Sequence, residues 1–141
     1  MTRVDFYLLN DAAGGKPLLA CRLADKAYRL GHRSYILAND AAEAAALDKL
    51  LWTFADGSFV PHAVSPAPAT IEDSAVLIGH TPPPDDRHQL LINLGPRVAD
   101  FFSRFARVAE IVGGTEPEKA AARERFRFYR ERGYSLETHS I

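Results

Sequence analysis

Cysteine is nearly absent: Cys21 is the single thiol in 141 residues, which excludes an internal disulfide and fits a reducing compartment. Its place in a helical stretch between Ala20 and Arg22 suits core packing better than a reactive thiol. No run of about 18 apolar residues exists, and no apolar segment follows a basic start, so the sequence predicts a soluble, unexported, cytoplasmic protein with no membrane partner. Neither sign of charge dominates. Seventeen Lys and Arg stand against eighteen Asp and Glu, a formal net charge of −1. That balance argues against non-specific nucleic-acid binding as the main task, which needs a strongly basic domain.

Several chemistries lack their parts. His32, His62, His80, His88 and His139 form no pair at i, i+3 or i+4, and there is no cysteine pair, so a zinc site would have to be assembled by the fold. No serine lies in a Gly-X-Ser-X-Gly turn. The segment Asn10 to Pro17 superficially resembles a phosphate cradle. However, Pro17 stands where a P-loop needs Ser or Thr, and the dinucleotide spacing of three glycines is missing. No cofactor is expected. Asp85 and Asp86, beside a proline run, read as solvated loop residues.

What is present is an alternation. Arg3 to Leu9 is β-rich, and a loop through Gly14 and Gly15 leads to Pro17 in a helix's first turn. Leu18 to Leu30 has helical spacing, closed by Gly31. Ser34 to Ala38 reads as a short buried strand. Asn39 and Asp40 can cap a helix to about Trp52, with Leu47, Leu50 and Leu51 inward. From Phe54 to Ala75, broken by Pro61, Pro66 and Pro68, mostly loop is expected. Strands follow at 75 to 79 and 90 to 94, around a surface loop at Pro82 to Pro84. A helix is expected through Asp100, Phe101, Phe102 and Phe105, then a strand at 109 to 112 and a last helix. Thr115 and Glu118 have the spacing of a capping box for that helix. Strand and helix alternating in this way predict an α/β fold: one domain over residues 1 to 141, a mostly parallel sheet with helices on both faces.

Two regions stand out. The last helix carries six Lys or Arg between Lys119 and Gly133 against Glu124 and Glu131. On a helical wheel Lys119, Arg123, Phe126 and Arg130 fall within roughly 60°. An aromatic inside a basic face invites an anionic partner with an apolar side chain. The plainer reading is a solvated face with Ala121 and Phe128 turned inward. Phe126 resists it, because it lies about 160° from Phe128 and the two cannot point into one core; one of them is expected to be exposed or to cover a loop. The second region is Leu51 to His62, where Trp52, Phe54 and Phe59 crowd a helix end and a turn. Such aromatics either close the core or form an exposed patch where a partner anchors.

These segments, in their order and spacing, resemble the chi subunit family of bacterial DNA polymerase III. The similarity is carried by Phe-Tyr-Leu-Leu at 6 to 9, Leu-Trp at 51 and 52, Ser-Phe-Val-Pro-His at 58 to 62 and Leu-Ile-Asn-Leu at 91 to 94. It continues in Ala-Arg-Glu-Arg-Phe-Arg-Phe-Tyr-Arg at 122 to 130, followed by Gly-Tyr-Ser-Leu. No one of these motifs is specific alone. The resemblance implies a Rossmann-like, non-catalytic clamp-loader accessory that uses no nucleotide. It also implies two partners: the psi subunit, and the acidic C-terminal tail of single-stranded-DNA-binding protein, with nucleic acid met only indirectly. By position the tail site would be Val112, Lys119, Arg123 and Phe126, and the psi contact Trp52, Phe59, Val60 and Pro61. Phe126 stands where many relatives have tyrosine, which keeps an apolar contact and removes a hydroxyl. The segment from Asn10 to Lys16 is short for the family, and Pro82 to Pro84 is a local departure.

The residue chemistry agrees with a tail-binding role. A peptide ending in an aromatic residue presents a ring and a free carboxylate together, so its receptor needs a cation at the mouth of an apolar pocket. Lys119 and Arg123 can supply the charge, and Val112 and Phe126 the wall. Acidic residues upstream in the tail would meet Arg127 or Arg130. Two alternatives remain at this level: a nucleotide-dependent enzyme of doubly wound fold, and direct single-strand binding through the arginine-rich helix. The latter lacks several aromatics on that face to stack bases.

Overall fold

The computed structural model describes residues 2–9, 15–54, 60–65, 75–84, 87 and 89–140. Among these, seven parallel strands make one sheet: β1 Arg3–Leu8, β2 Ser34–Leu37, β3 His62–Val64, β4 Val76–Gly79, β5 Leu90–Asn93, β6 Arg107–Val112 and β7 Ser135–Ser140. Their spatial order is β3-β4-β2-β5-β6-β1-β7. The inner strands are buried along nearly their whole length, as parallel strands covered on both faces must be.

Among the described residues, three helices cover the sheet: α1 Gly15–Arg29, α2 Ala41–Thr53 and α3 Glu116–Glu131. On one face Ala20, Ala24 and Ala27 of α1 and Leu47 and Leu51 of α2 pack on Tyr7, Ile36, Ile78, Ile92 and Ile111. Cys21 belongs to this core, and burial pushes its thiol up to about 12, so it is an inert packing residue. On the other face Ala122 and Tyr129 of α3 pack on Val4, Phe6, Val108 and Val112, with Phe102 and Phe105 beside them.

Local chemistry sets the helix ends. Asp40 caps α2 by accepting from the Glu43 amide at 2.8 Å. Gly31 and Gly133, at φ of 79° and 78°, end α1 and α3 in the left-handed conformation. In both, the amide of the next residue returns to a helical carbonyl, His32 to Ala27 at 2.9 Å and Tyr134 to Tyr129 at 3.1 Å, the Schellman pattern. At the start of α3 the Thr115 hydroxyl accepts from the Glu118 amide at 3.4 Å, while the Glu118 carboxylate turns away toward Lys16 at 3.7 Å.

The structure departs from the sequence reading in five places. His62–Val64, expected as loop, is a three-residue edge strand beside β4, too short and too evenly half-buried to show a period. The expected helix around residues 100 to 105 is only a 3-10 turn, Phe102–Arg104. Phe105 is already extended, because the chain must enter the adjacent strand β6. Strand β7 was not anticipated: Ser-Leu-Glu-Thr-His-Ser lies on the solvated sheet edge and has no apolar pattern to betray it. In the proline run Pro83 is buried, with Arg104 donating to the Pro83 and Pro84 carbonyls at 3.3 and 3.2 Å. Finally, the buried stripe of α3 is Ala122, Arg125 and Tyr129, with Phe126 and Phe128 half-buried on either side. Neither phenylalanine is expelled to solvent, since Phe126 packs on Phe6 at 5.4 Å and Phe128 on Phe102 at 5.8 Å between ring centroids.

A candidate peptide-binding site

Strands β1 and β6 are neighbours, yet the chain leaving β1 passes to α1 on one face and the chain leaving β6 passes to α3 on the other. Their carboxyl ends therefore open a crevice, the place where open parallel sheets take ligands. On the α3 side it forms a cavity of about 290 Å³. Phe6 and Leu8 of β1 make the floor, Val112 and Gly113 the end of β6, and Ala122 and Phe126 the helix side; Thr138 of β7 also lines it. Lys119 and Arg123 stand on the same wall, and no carboxylate lines the cavity among the described residues.

The cations are lightly engaged. Lys119 lies 4.0 Å and Arg123 3.9 Å from Glu116, and their side chains are 49% and 65% exposed. Exposed pairs of that length are worth about 0–1 kcal/mol, so an incoming carboxylate can displace them. The Phe126 ring leans on Phe6 at 5.4 Å between centroids, so the residue is at once part of the packing and a wall of the cavity. Val112, Lys119, Arg123 and Phe126, singled out in the sequence, thus share one cavity. Arg130 is exposed on the same face but does not line it; two turns farther along α3, it lies about 10 Å away along the axis.

A buried polar lock, not foreseen in the sequence, sets the rotation of α3. Glu110 on β6 accepts from Arg125 at 3.0 Å, Asn93 at 2.9 Å and Tyr129 at 2.6 Å, and Arg125 also donates to the Pro96 carbonyl at 3.0 Å. Burial pushes the Glu110 carboxyl up, and the Arg125 charge with the hydrogen bonds from Tyr129, Asn93 and Arg125 pulls it back. Burial also pushes the Tyr129 hydroxyl up, and the Glu110 charge adds to this. The signal was present: a glutamate inside the apolar strand Ala-Glu-Ile-Val requires a buried partner.

The second group of sequence-predicted residues lies elsewhere. Trp52, in the last turn of α2, is 56% exposed and meets the His62 ring edge-on at 4.8 Å. His62 is held by the Val60 and Asp48 carbonyls at 2.7 and 3.1 Å. Pro61 is half-buried. Val60 is wholly buried, a correction to its expected place on a contact surface: it supports the patch from below. Phe59 lies outside the described residues.

Two other constellations have structural explanations. Asp5, Glu137 and His139 bring potential metal-ligating atoms within 4.8 Å of one another. Arg107 at 2.7 Å and Arg3 at 3.3 Å already saturate the Asp5 carboxylate, so a metal ion would have to displace guanidinium groups. At the start of α3, Glu118 lies so close over Gly113 that a Cβ there would meet its carboxylate at 1.6 Å. A phosphate approaching this helix end would meet a carboxylate, where nucleotide sites present bare amides.

The fold and the cavity define a parallel α/β domain with a cation-rimmed apolar cleft at the switch point of its sheet. The family model of the DNA polymerase III chi subunit, HolC, matches residues 1–137. The chain is 42% identical over 142 residues to the DNA polymerase III subunit chi of Pseudomonas aeruginosa, covering 100% of this chain and 98% of that protein. The corresponding Escherichia coli protein is 31% identical over 143 residues, with 98% and 97% coverage. The Haemophilus influenzae protein is 32% identical over 124 residues, with 87% and 85% coverage. The chain belongs to the DNA polymerase III chi subunit family.

Proposed function

We propose that this chi-family subunit is a non-catalytic accessory of the cytoplasmic DNA polymerase III clamp-loader complex, linking the psi subunit to the acidic C-terminal tail of single-stranded-DNA-binding protein. The observation that carries the tail reading is the cleft itself: an apolar cavity of about 290 Å³ with Lys119 and Arg123 on its wall and no acid among its described lining residues. A terminal aromatic ring fills the space between Phe6, Val112 and Phe126, and its α-carboxylate meets Arg123. The acidic residues upstream run toward Arg130, where they add to association rate more than to affinity. The exposed Trp52, backed by His62, supports a psi contact on a different surface. Nucleic acid enters only through the bound protein, since the basic face offers one aromatic, Phe126, and stacking platforms use several. The test is capture of single-stranded-DNA-binding protein on the immobilised chain with and without a synthetic acidic tail peptide. Recovery lost on adding the peptide supports the reading, and recovery unaffected by it refutes it.

A further inference from the structure

A second cavity, of about 210 Å³, lies on the opposite face of the sheet, under the C-terminal end of α1. Its apolar walls are Leu23, Leu30 and Leu90, its polar side chains include Lys26, His32 and Arg107, and no carboxylate lines it among the described residues. Asp5 takes up the charge of Arg107 at 2.7 Å, and Arg107 in turn fixes the Tyr7 hydroxyl at 2.6 Å, so this side of the cavity is held rigid. Lys26 and His32 have no acidic partner among the described residues. Leu30, one of the lining residues, is 62% exposed, an unusual exposure for a large hydrophobic among the described residues.

A small anion would satisfy Lys26 but leave Leu30 in water. A peptide serves both, because its backbone carries an anchor into the cavity against Leu30 and neighbouring carboxylates to the rim. We propose that this cavity is a docking site for an acidic segment of a protein partner. A leucine- or phenylalanine-sized anchor enters between Leu23 and Leu90, and flanking carboxylates face Lys26 and His32. The site is independent of the α3 cleft: it lies on the other face of the sheet and requires no free peptide terminus.

The experiment uses the full chain, labelled with nitrogen-15, and the peptide acetyl-Glu-Asp-Glu-Leu-Phe-Asp-amide, whose blocked C-terminus removes the carboxylate that the α3 cleft would read. The expected result is amide shifts at Leu30, Gln89 and Leu90 that persist in Arg123→Ala. Lys26→Glu should weaken binding about tenfold, since reversal removes one attraction and adds a repulsion of similar size. Replacing the peptide's acids by amides should weaken it comparably. Absence of binding, shifts confined to α3, or equal binding of the uncharged peptide would overturn the proposal. So would hexanoate reproducing the shifts with the peptide's affinity, which would mark a small-carboxylate site. Self-association of the chain abolished by Leu30→Ser would assign the face to a second copy, and it too would overturn the proposal.

Discussion

Arg125 on α3 and Glu110 on β6 meet at 3.0 Å with both side chains sealed from water, and this pair decides which face of the helix the rest of the protein sees. With Arg125 and Tyr129 bonded inward to Glu110, the stripe of Lys119, Arg123 and Phe126 has to lie over β1. Removing one partner of such a pair strands a buried charge. Arg125→Leu is therefore expected to destabilise the domain by about 3–5 kcal/mol, whereas Glu110→Leu with Arg125→Leu should cost clearly less than the two single changes together. Urea unfolding of the four proteins measures this, and simple additivity would show that the pair is not coupled.

How much was legible in advance follows from where each signal sits. Gly31 and Asp40 announced helix ends because backbone sterics and capping act within a few residues. The grouping of Lys119, Arg123 and Phe126 was legible because helical periodicity is local. Strand β7 was hidden because an exposed edge needs no apolar pattern, and β3 because three half-buried residues cannot display one. Phe6 and Thr138, which complete the cleft, come from strands more than a hundred residues apart in sequence, and only the parallel pairing of β1 with β7 brings them together.

Arg123→Ala should weaken binding of an acidic tail peptide about tenfold while leaving the fold intact. The side chain is 65% exposed in the free protein, so its charge stays partly screened in the complex, which places the loss between that of an exposed ion pair and that of a fully buried one. Lys119→Ala should cost less, an ammonium being better hydrated and unable to make a bidentate contact. Calorimetric titration separates them, and an unchanged affinity in Arg123→Ala would remove that residue from the site.

Phe126 has two roles, and its substitutions should show both. Because it is half-buried against Phe6, Phe126→Ala should destabilise the domain by about 1–2 kcal/mol, below the 3–5 kcal/mol of a fully buried aromatic. Phe126→Leu fills most of the volume but removes the ring, so it should nearly preserve the melting temperature while lowering tail affinity. If Phe126→Leu bound the tail as tightly as the parent protein, the ring would be a packing element only.

Trp52 and Arg123 lie toward opposite ends of the sheet and on opposite faces. Between β3, beside Trp52, and β1, under Arg123, lie five strand spacings, about 24 Å. Trp52→Ala should therefore impair psi binding, leave tail binding unchanged and combine additively with Arg123→Ala. Tail affinity falling in a folded Trp52→Ala protein would contradict two separate surfaces.

Asp5 gives the domain an acid-sensitive latch on its last strand. Burial by itself would raise its carboxyl, but hydrogen bonds from His139 and Arg107, with the charges of Arg107 and Arg3, bring it below its ordinary value of 3.8. A carboxyl depressed in the folded state contributes stability that is fully present above the unfolded value and is lost as pH falls through the folded one. The loss should therefore begin below about pH 4. His139 stacks on Tyr7 at 4.8 Å and bonds to Asp5 at 3.1 Å, so protonating Asp5 loosens β7 from β1 first. Asp5→Asn should be less stable than the parent at neutral pH, and the gap should close as the pH is lowered through the folded value. Denaturant midpoints measured between about pH 2 and 7 test this, and parallel curves for the two proteins across that range would exclude Asp5 as the titrating group.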